Sequence, residues 1–495
     1  MNVALIASEA VPFAKTGGLA DVVGALPRAL ARHGVAVSVF LPCHRSARDA
    51  GIPLRDAGLN LPVPLGSRTL DARIQIGRLP NSTVDVYLID HPAFFDRDEL
   101  YGRKGADYGD NSERFVFFQR AVMEAILALG LEPGVLHCND WQTGLIPVYL
   151  DEIYRDRGPF RRAGSLFTIH NIAYQGSFWH WDMPMTGLDW RLFNWRQLEF
   201  HGRLNFLKAG LAFADVLSTV SPTYAREIQT PEYGAGFDGL LRARRLDLHG
   251  IVNGIDPEVW NPAVDTKIAR RYDLASFAEG KAACKAELQA IAGLPVRPDV
   301  PLFAQIGRLD PQKGWDLLTG VAESLLDRDV QIVVLGVGQP RYHDLLADLA
   351  RRRPDKIRCF LEFSDRLSHQ IEAAADFFLM PSLYEPCGLN QLYSLAYGTL
   401  PIVRTTGGLA DTVVAWDETT ERSGRANGFA FREASAPALL AAVEQALAIY
   451  PDRGKRESMI RAAMSADWSW DRVASAYLPL YDEVVRRQGR SDEIL

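Results

Sequence analysis

Residues 3–21, VALIASEAVPFAKTGGLAD, decide the fold class of this chain. A short apolar strand over Val3–Ala7 precedes a glycine loop, and the residues after the loop can continue as a helix. The hexapeptide TGGLAD at Thr16–Asp21 recurs at Thr406–Asp411, after the apolar run Leu400–Val403. Glycines between a strand and a helix let backbone N–H groups approach an anion, and the helix N-terminus adds its positive end. The two copies predict one anionic ligand held from both sides.

Length and composition indicate a globular protein of more than one domain. At 495 residues the chain exceeds the size at which a single hydrophobic core stops growing. The net charge of −7 gives no overall field that would attract nucleic acid. Five scattered cysteines without a C-x-x-C pair argue against a disulfide framework and against a zinc site. No apolar stretch reaches the roughly 20 residues of a membrane span, so we expect a cytoplasmic protein without an anchor.

Short apolar runs alternate with amphipathic segments along the whole chain, which predicts parallel sheets covered by helices. The predicted strands after the first are 37–41, 84–89, 165–169, 216–220, 301–306, 330–335, 377–380 and 400–403, and a helix is predicted over 115–129. The fold class is therefore α/β, with two doubly wound Rossmann-like domains facing each other across a cleft. We expect an N-terminal domain over 1–250, a C-terminal domain over 251–470 and a final helix over 471–495 that crosses back to the first domain.

The second half contains the strongest local pattern. Gly307–Gly314, GRLDPQKG, directly follows a predicted buried strand, so Arg308 and Lys313 should project from the strand's carboxyl end. Two cations five positions apart suit a diphosphate, since arginine offers a fork and lysine a point charge. Glu385 follows the predicted strand 377–380, and a carboxylate at this strand end can accept hydrogen bonds from sugar hydroxyls. The backbone from Gly388 to Asn390 can meet a phosphate.

Polar residues also follow predicted strands of the first half. Lys15 precedes the first glycine loop and Asp21 lies in the following helix. The segments 137–142, HCNDWQ, and 168–176, TIHNIAYQG, come directly after apolar runs. A doubly wound fold binds its ligands at the carboxyl ends of its strands. His170 is therefore a candidate for the active site, because other polar residues are predicted at the same position.

Two other motifs are discounted. Asp96-Arg97-Asp98 has the acid-x-acid form of a divalent-metal site, but it lies in a loop rich in phenylalanine and tyrosine, and Arg and Lys already supply charge. We therefore predict no metal and no cofactor. Gly336-Val337-Gly338 after a strand suggests a nicotinamide fingerprint, but the third glycine is missing and Pro340 follows at once.

A dense aromatic cluster follows the third polar segment, at Tyr174, Phe178, Trp179, Trp181, Trp190, Phe193 and Trp195. Sugar rings stack on flat aromatic faces, so a glucan track is one interpretation. We predict packing in the core or between domains for most of these side chains.

Taken together, these segments resemble the bacterial glycogen synthases, retaining glycosyltransferases of the two-Rossmann-domain type shared with plant starch synthases. They occur in the family's order and span nearly the whole chain. The matching segments are 15–21, 137–145, 168–176, 252–256, 307–314, 385–393 and 406–412.

The resemblance implies transfer of glucose from ADP-glucose to the non-reducing 4-hydroxyl of an α-1,4-glucan such as glycogen. The implied catalytic residues are His170, Glu385, Arg308, Lys313 and Asp140. The implied donor-binding residues are Lys15, Gly17, Gly18, Asn253, Phe363, Cys387, Gly388, Leu389, Tyr393, Thr406, Gly407 and Gly408. The implied acceptor-binding residues are Asp21, Trp141 and Tyr174.

The chain departs from the wider superfamily at one position. Many relatives pair two glutamates, but here Glu385 is followed at that spacing by Tyr393, which leaves the usual ribose contact unassigned. Two alternative functions are another enzyme on the same scaffold, such as a phosphorylase or a sucrose-type synthase, and a non-catalytic glucan-binding protein. A phosphorylase would need a pyridoxal-phosphate lysine and a much longer chain, and pure glucan binding would not require cations suited to a diphosphate. The choice between ADP-glucose and UDP-glucose, and the oligomeric state, stay open.

Overall fold

The computed structural model describes residues 1–103 and 105–491, and the chain forms two compact units. The first unit comprises Met1–Val220, Ala225–Ile251 and the chain from Trp470 onward. The second unit comprises Ser221–Tyr224 and Val252–Ser469. The sequence predicts a change of domain near residue 250, and the break between the two units lies after Ile251.

The strands and helices alternate along both units. The strands of the first unit are β1 (Asn2–Ile6), β2 (Ala36–Pro42), β3 (Arg55–Leu65), β4 (Arg68–Arg78), β5 (Asp85–Asp90), β6 (Gly102–Arg103), β7 (Ala106–Asp107), β8 (Val135–Asn139), β9 (Gly164–Ile169), β10 (Ser177–Phe178), β11 (Glu199–Phe200), β12 (Arg203–Asn205), β13 (Val216–Thr219) and β14 (Leu248–Gly250). Those of the second unit are β15 (Leu302–Ile306), β16 (Gln331–Leu335), β17 (Ile357–Phe360), β18 (Phe377–Met380), β19 (Leu400–Arg404) and β20 (Phe429–Phe431).

Helices connect the strands. They are α1 (Gly18–Arg32), α2 (Arg45–Asp49), α3 (Pro92–Phe95), α4 (Asn111–Ala128), α5 (Ile146–Tyr149), α6 (Met183–Thr186), α7 (Phe206–Phe213), α8 (Pro222–Glu227), α9 (Asp238–Ala243), α10 (Phe277–Ile291), α11 (Trp315–Leu326), α12 (Pro340–Arg352), α13 (Asp365–Ala374), α14 (Asn390–Ala396), α15 (Gly407–Thr412), α16 (Glu418–Arg422), α17 (Ala436–Ile449), α18 (Arg453–Met464) and α19 (Trp470–Ser491).

Each large sheet reverses its strand order once. In the second unit the order β17-β16-β15-β18-β19-β20 is all parallel and corresponds to the order 3-2-1-4-5-6 of a Rossmann sheet. In the first unit the parallel strands run β14-β13-β9-β8-β1-β2-β5, with the reversal between β1 and β8. Loops leave the sheet in opposite directions at such a reversal, so a crevice opens at the carboxyl ends of the two strands. The predicted α/β class with two doubly wound sheets is confirmed.

The edge of the first sheet differs from the prediction of purely parallel strands. β3 and β4 form an antiparallel hairpin, and β4 also pairs antiparallel with β5. A two-residue connection, Gly66-Ser67, joins the hairpin, and Gly66 has a φ of +60°. Alternate residues of β3, at Leu61, Val63 and Leu65, are buried, which is the pattern of a strand with one face on the core. The Gly-Ser pair between two alternating segments is a hairpin signal that the sequence carries.

The last helix belongs to the first unit. The buried residues of α19, among them Trp470, Tyr477 and Val484, join the core formed by β1, β2 and α1. Gly164 in β9 admits this helix closely, because a Cβ there would lie 2.5 Å from a methyl group of Val484. Tyr481 places its hydroxyl 2.9 Å from Nδ1 of buried His137, so the helix also completes a polar contact inside the sheet.

Among the residues that the structure describes, no helix combines the length and the apolar character needed to cross a membrane.

Candidate active site

The first TGGLAD loop encloses a carboxylate of its own chain. Glu9 follows β1 and is buried, and its Oε2 accepts hydrogen bonds from the amides of Thr16 at 2.5 Å and Gly17 at 3.3 Å. Its Oε1 accepts from the Thr16 hydroxyl at 2.6 Å and from the Tyr101 hydroxyl at 2.5 Å. The Gly17 amide, predicted to face the donor, is therefore bonded to Glu9 instead.

The exposed side of the same loop carries a cation. Lys15 donates from Nζ to Oδ1 of Asp21 at 2.7 Å, so these two predicted site residues are brought together. α1 begins at Gly18, and the first amides of a helix have no partner within it. Within the described chain, the amides of Gly18 and Leu19 have no acceptor at hydrogen-bonding distance. These two amides and Lys15 are the groups of the loop that remain for an anion.

Asp140 follows β8 in a conformation that L residues rarely adopt, with φ 57° and ψ −177°. Its carboxylate accepts a hydrogen bond from the His170 amide at 2.7 Å, and its own amide donates to the Thr168 carbonyl at 3.0 Å. Burial raises the pKa of Asp140 to about 7, although backbone hydrogen bonds from His170 and Asn171 oppose the rise. Strained backbone and a perturbed carboxyl at one position are typical of functional sites.

His170 is held as a neutral imidazole. Burial lowers its pKa to about 3. Its Nε2 lies 2.9 Å from Oδ1 of Asn139, whose Nδ2 donates to the Ile6 carbonyl at 3.0 Å. Because the Asn139 oxygen can only accept, Nε2 of His170 carries the proton and Nδ1 keeps its lone pair. The side chain can therefore orient a neutral partner, but it supplies no positive charge.

The structure assigns Trp141 a supporting position that differs from the predicted direct contact with an acceptor. Its buried indole packs against Phe115 and Phe178, with ring centroids 4.8 and 5.6 Å away. A Cβ at Gly176 would lie 2.4 Å from the same ring. Trp141 thus holds the 171–176 loop from its buried side, whereas Tyr174 in that loop is 51% exposed.

The aromatic cluster after this loop is not buried, and the prediction of core packing for most of its members is wrong. The exposed members are Tyr174, Trp179, Trp181, Trp190 and Trp195. Trp181, 58% exposed, lies 6.5 Å from Trp179 and 5.6 Å from Trp190 between ring centroids. We call these three residues the tryptophan patch. Aromatic content alone predicted burial, but the short turns around them leave their faces in solvent.

In the second unit, Glu385 and Lys313 form the central pair. Glu385 is buried at the loop after β18, and Lys313 Nζ donates to its two oxygens at 3.0 and 2.7 Å. The Ser382 hydroxyl donates to Oε2 at 2.9 Å. The carboxylate is thereby fixed in position, and its charge is balanced by a lysine, the arrangement that makes a buried charge tolerable.

The loop after β15 brings Lys313 to this position. It ends at Gly314, whose φ is +73° and whose Cβ would lie 2.0 Å from the Pro381 carbonyl oxygen. Only glycine fits this close approach in a left-handed conformation. Arg308, at the start of the loop, is exposed and contacts Gln312 Oε1 at 3.2 Å and Asp310 Oδ2 at 3.5 Å. The two predicted cations therefore differ, since Lys313 is committed to Glu385 while the Arg308 guanidinium faces solvent.

The second TGGLAD loop packs against the backbone of Glu385. The Gly408 amide donates to the carbonyls of Glu385 at 3.2 Å and Pro386 at 3.1 Å. Gly407 has φ +45°, and a Cβ there would lie 1.8 Å from the Glu385 oxygen. Thr406 is fully buried at the N-cap of α15. These glycines therefore allow two backbones to touch, and the predicted phosphate contact from Gly408 N–H is taken by the protein.

Other predicted donor residues surround this loop. Asn253 is buried, its amide donates to Cys387 Sγ at 3.4 Å, and its side-chain Oδ1 has no partner among the described residues. Burial raises the pKa of the Cys387 thiol to about 12, so it stays protonated. Gly388, two residues before the start of α14, has φ +73°, and Leu389 occupies the N-cap position of that helix. An orphaned buried oxygen beside a helix start is what a polar ligand would satisfy.

The remaining two donor candidates are placed differently. Phe363 is 84% exposed beyond β17. Tyr393 is buried in α14, and its ring stacks on Trp260 at 3.7 Å, which stacks in turn on His369 at 3.9 Å. Tyr393 therefore belongs to a three-ring stack, and only Phe363 offers an open face.

The acid-x-acid motif is occupied by arginine. Arg45 donates from Nε to Oδ1 of Asp96 at 2.7 Å and from Nη1 to Asp98, while Arg97 pairs with Asp110. The glycines of the Gly336-Val337-Gly338 motif allow close backbone packing. A Cβ at the first would lie 2.0 Å from the Gly307 oxygen, and a Cβ at the second would lie 2.3 Å from the Leu309 oxygen.

Sequence reasoning missed Glu9, Ser382 and Trp260. Glu9 follows the first apolar run, and a carboxylate a few residues before a glycine loop is a signal for an internal partner of the loop's amides. Ser382 lies three residues before Glu385, a spacing that places its hydroxyl beside the carboxylate. Trp260 had no local signal, because its partners lie 109 and 133 positions away in sequence.

We expect Asp140→Asn to change how stability depends on pH. A folded-state pKa of about 7, above the unfolded value near 3.9, means that the native state binds more protons between these values. The wild-type carboxyl therefore lowers the free energy of unfolding progressively from about pH 4 to pH 7, and asparagine removes that loss. The free-energy difference between variant and wild type should grow by a few kcal/mol over this range, measured by urea unfolding at several pH values. A difference independent of pH would contradict the assignment.

Comparison with known proteins extends over nearly the whole chain. The model of the starch synthase catalytic domain matches residues 2–243, and that of glycosyl transferases group 1 matches residues 289–465. A glycogen synthase of Anaeromyxobacter sp. is 49% identical over 97% of this chain and 99% of its own length. A glycogen synthase of Rhodopirellula baltica is 43% identical over 98% of each chain.

Solved structures give the same picture. The catalytic domain of starch synthase IV from Arabidopsis thaliana, bound to ADP and acarbose, aligns with a TM-score of 0.89 at 34% identity, over 98% of this chain and 99% of that one. A sucrose-phosphate synthase from Thermosynechococcus elongatus shares the fold, with a TM-score of 0.61 at 18% identity. With two catalytic-domain models and relatives matched over almost its full length, this chain belongs to the glycogen and starch synthase family of glycosyltransferases.

Proposed function

We propose that this protein transfers glucose from ADP-glucose to the 4-hydroxyl at the non-reducing end of an α-1,4-glucan, releasing ADP with retention of configuration. The observation that carries the proposal is the Glu385–Lys313 pair beside the Arg308 loop, at the strand-order reversal of the second unit. A fixed carboxylate suits sugar hydroxyls, and adjacent cations suit a diphosphate. Together they match a nucleotide sugar.

In this proposal the diphosphate is stabilised by Arg308 and Lys313. The bond between C1 of glucose and the β-phosphate oxygen breaks, and the electron pair stays on the phosphate. Fixed cations and helix-start amides stabilise that developing charge without reorganising during the reaction. Lys313 balances both this charge and the carboxylate of Glu385. We therefore propose a reaction that needs no metal and no cofactor.

We propose same-face attack for the retaining step. The acceptor oxygen bonds to C1 on the side that the phosphate leaves, and its proton passes to a phosphate oxygen, with an oxocarbenium-like centre between them. Glu385 is paired with Lys313, and Asp140 accepts the His170 amide, so neither carboxylate is presented as a free nucleophile. Trapping a covalent glucosyl adduct on either residue would contradict this mechanism.

The exposed ring of Phe363 is our candidate for stacking on the nucleobase. Stacking does not distinguish adenine from uracil by hydrogen bonding, so donor preference has to be measured directly.

The five cysteines are all free thiols, in keeping with the expected cytoplasmic location.

We expect ADP release when the protein is incubated with ADP-glucose and glycogen, and a parallel assay of UDP release from UDP-glucose measures the donor preference. The assay is run with and without EDTA, and the rate should be the same in both. Binding of glycogen without ADP release would instead favour the alternative of a non-catalytic glucan-binding protein.

Lys313→Ala should lower kcat/KM for ADP-glucose by at least about tenfold, or roughly 1.4 kcal/mol of transition-state stabilisation, because it removes a leaving-group cation and leaves Glu385 unbalanced. Lys455→Ala is the matched control, since this lysine of the same unit pairs with Glu421. Melting temperatures separate lost stability from lost catalysis. Unchanged kinetics for Lys313→Ala would rule out its role.

The tryptophan patch supports a glucan track for long acceptors. Each exposed indole face can cover the apolar side of a sugar ring. Trp181→Ala should raise the KM for glycogen several-fold while leaving the KM for a short maltooligosaccharide within about twofold. Leu246→Ala, an exposed apolar residue of the same unit, is the control. Equal effects on both acceptors would contradict the track.

A further inference from the structure

Glu9 is a buried carboxylate that the proposed chemistry does not use. It lies between β1 and the first TGGLAD loop, with 4% of its surface exposed, and accepts four hydrogen bonds from Thr16, Gly17 and Tyr101. All four contacts come from N–H or O–H donors, and an ionised carboxylate can accept a hydrogen bond from each of them. Burying a carboxylate costs free energy unless hydrogen bonds or an opposite charge compensate for the lost hydration.

Two successive backbone amides and a hydroxyl that converge on one anion form the kind of concavity that binds phosphate in other proteins. Here the chain supplies the anion itself. Thr16 and Gly17 are exposed, whereas Glu9 enters from the buried side. A Cβ at Gly17 would meet no atom within 4 Å, and the residue's φ of −152° is open to any side chain. The loop's shape is therefore held by Glu9, not by a conformational demand of Gly17.

The second copy of the hexapeptide has a different internal partner. There the Gly408 amide donates to backbone carbonyls, and Asp411 accepts from the amide and hydroxyl of Thr223 at 2.8 and 2.7 Å. In the second copy neutral carbonyls accept from the Gly408 amide, whereas in the first copy a carboxylate accepts from the amides of Thr16 and Gly17.

We propose that Glu9 is a positioning residue that acts as the built-in anion of the first TGGLAD loop. It takes the amides of Thr16 and Gly17 and fixes the start of α1, so that Lys15 and the amides of Gly18 and Leu19 are left to an anionic group of the nucleotide ligand. Tyr101 supports Glu9 through its hydroxyl, which also lies 2.7 Å from Ser8 Oγ. The kinetic part of this inference rests on the proposed function, and the binding part does not.

The test is chemical rescue of Glu9→Ala. Truncation leaves a space lined by the Thr16 amide and hydroxyl, the Gly17 amide and the Tyr101 hydroxyl, and a small carboxylate can enter from the exposed loop. We expect kcat/KM for ADP-glucose to fall at least about tenfold and to recover several-fold with formate at roughly 0.1 M. Formamide, which has nearly the same shape but no charge, should not rescue.

Two further variants sharpen the result. Glu9→Gln keeps the volume but has one acceptor oxygen where the loop offers donors to two, so it should lose activity and gain nothing from formate. Glu132→Ala, an exposed glutamate of the same unit, should behave as wild type with and without formate.

A binding measurement separates this inference from the proposed function. Formate should raise the melting temperature of Glu9→Ala but not of the wild type, whatever reaction the protein catalyses. Calorimetry should show weaker ADP binding by Glu9→Ala. Tighter ADP binding would mean that the Thr16 and Gly17 amides serve the nucleotide, and it would overturn the proposal, as would a folded Glu9→Ala with full activity or without any response to formate. If Glu9→Ala does not fold, an unimpaired Glu9→Gln would overturn it equally.

Discussion

Each of the two large sheets reverses its strand order once, and the proposed chemistry of this protein depends on that constraint. Between β1 and β8 in the first unit, and between β15 and β18 in the second, the connecting loops depart to opposite sides of the sheet. The crevice left at the strand ends is the one place where polar groups from two loops can converge without disturbing the hydrophobic layers. Glu9 and Asp140 lie at the first reversal, and Arg308 and Glu385 lie at the second.

The two TGGLAD copies show how little an identical hexapeptide determines. In the first, the helix begins at the second glycine, and Gly17 is extended around a carboxylate. In the second, the helix begins at the first glycine, Gly407 is left-handed, and the loop touches the backbone of the Glu385 segment. Both loops satisfy their amides inside the protein to a greater extent than the sequence suggested. What each copy offers a ligand is set by its neighbours.

Much of the fold followed from the sequence, for identifiable reasons. Central parallel strands are buried on both faces, so runs such as Val3–Ile6 and Phe377–Met380 are continuously apolar and easily recognised. The β3–β4 hairpin was not predicted, because the strands and helices on either side of it indicated parallel strands throughout. Its own signal is the alternation of buried and exposed residues along β3. The tryptophan patch was misjudged because composition cannot tell which face of a short turn meets solvent.

The sequence by itself determined the α/β class, the two Rossmann-like sheets and the polar residues at their strand ends, because hydrophobic periodicity and loop glycines are local properties. It also placed Arg308, Lys313 and Glu385 in one half of the chain. Only the tertiary structure decided that Lys313 balances Glu385, that Asp140 has a strained backbone and a pKa raised by burial, and that Glu9 fills the first glycine loop. Those outcomes depend on hydrogen bonds and burial between segments far apart in the chain, and no local pattern encodes the distance between them.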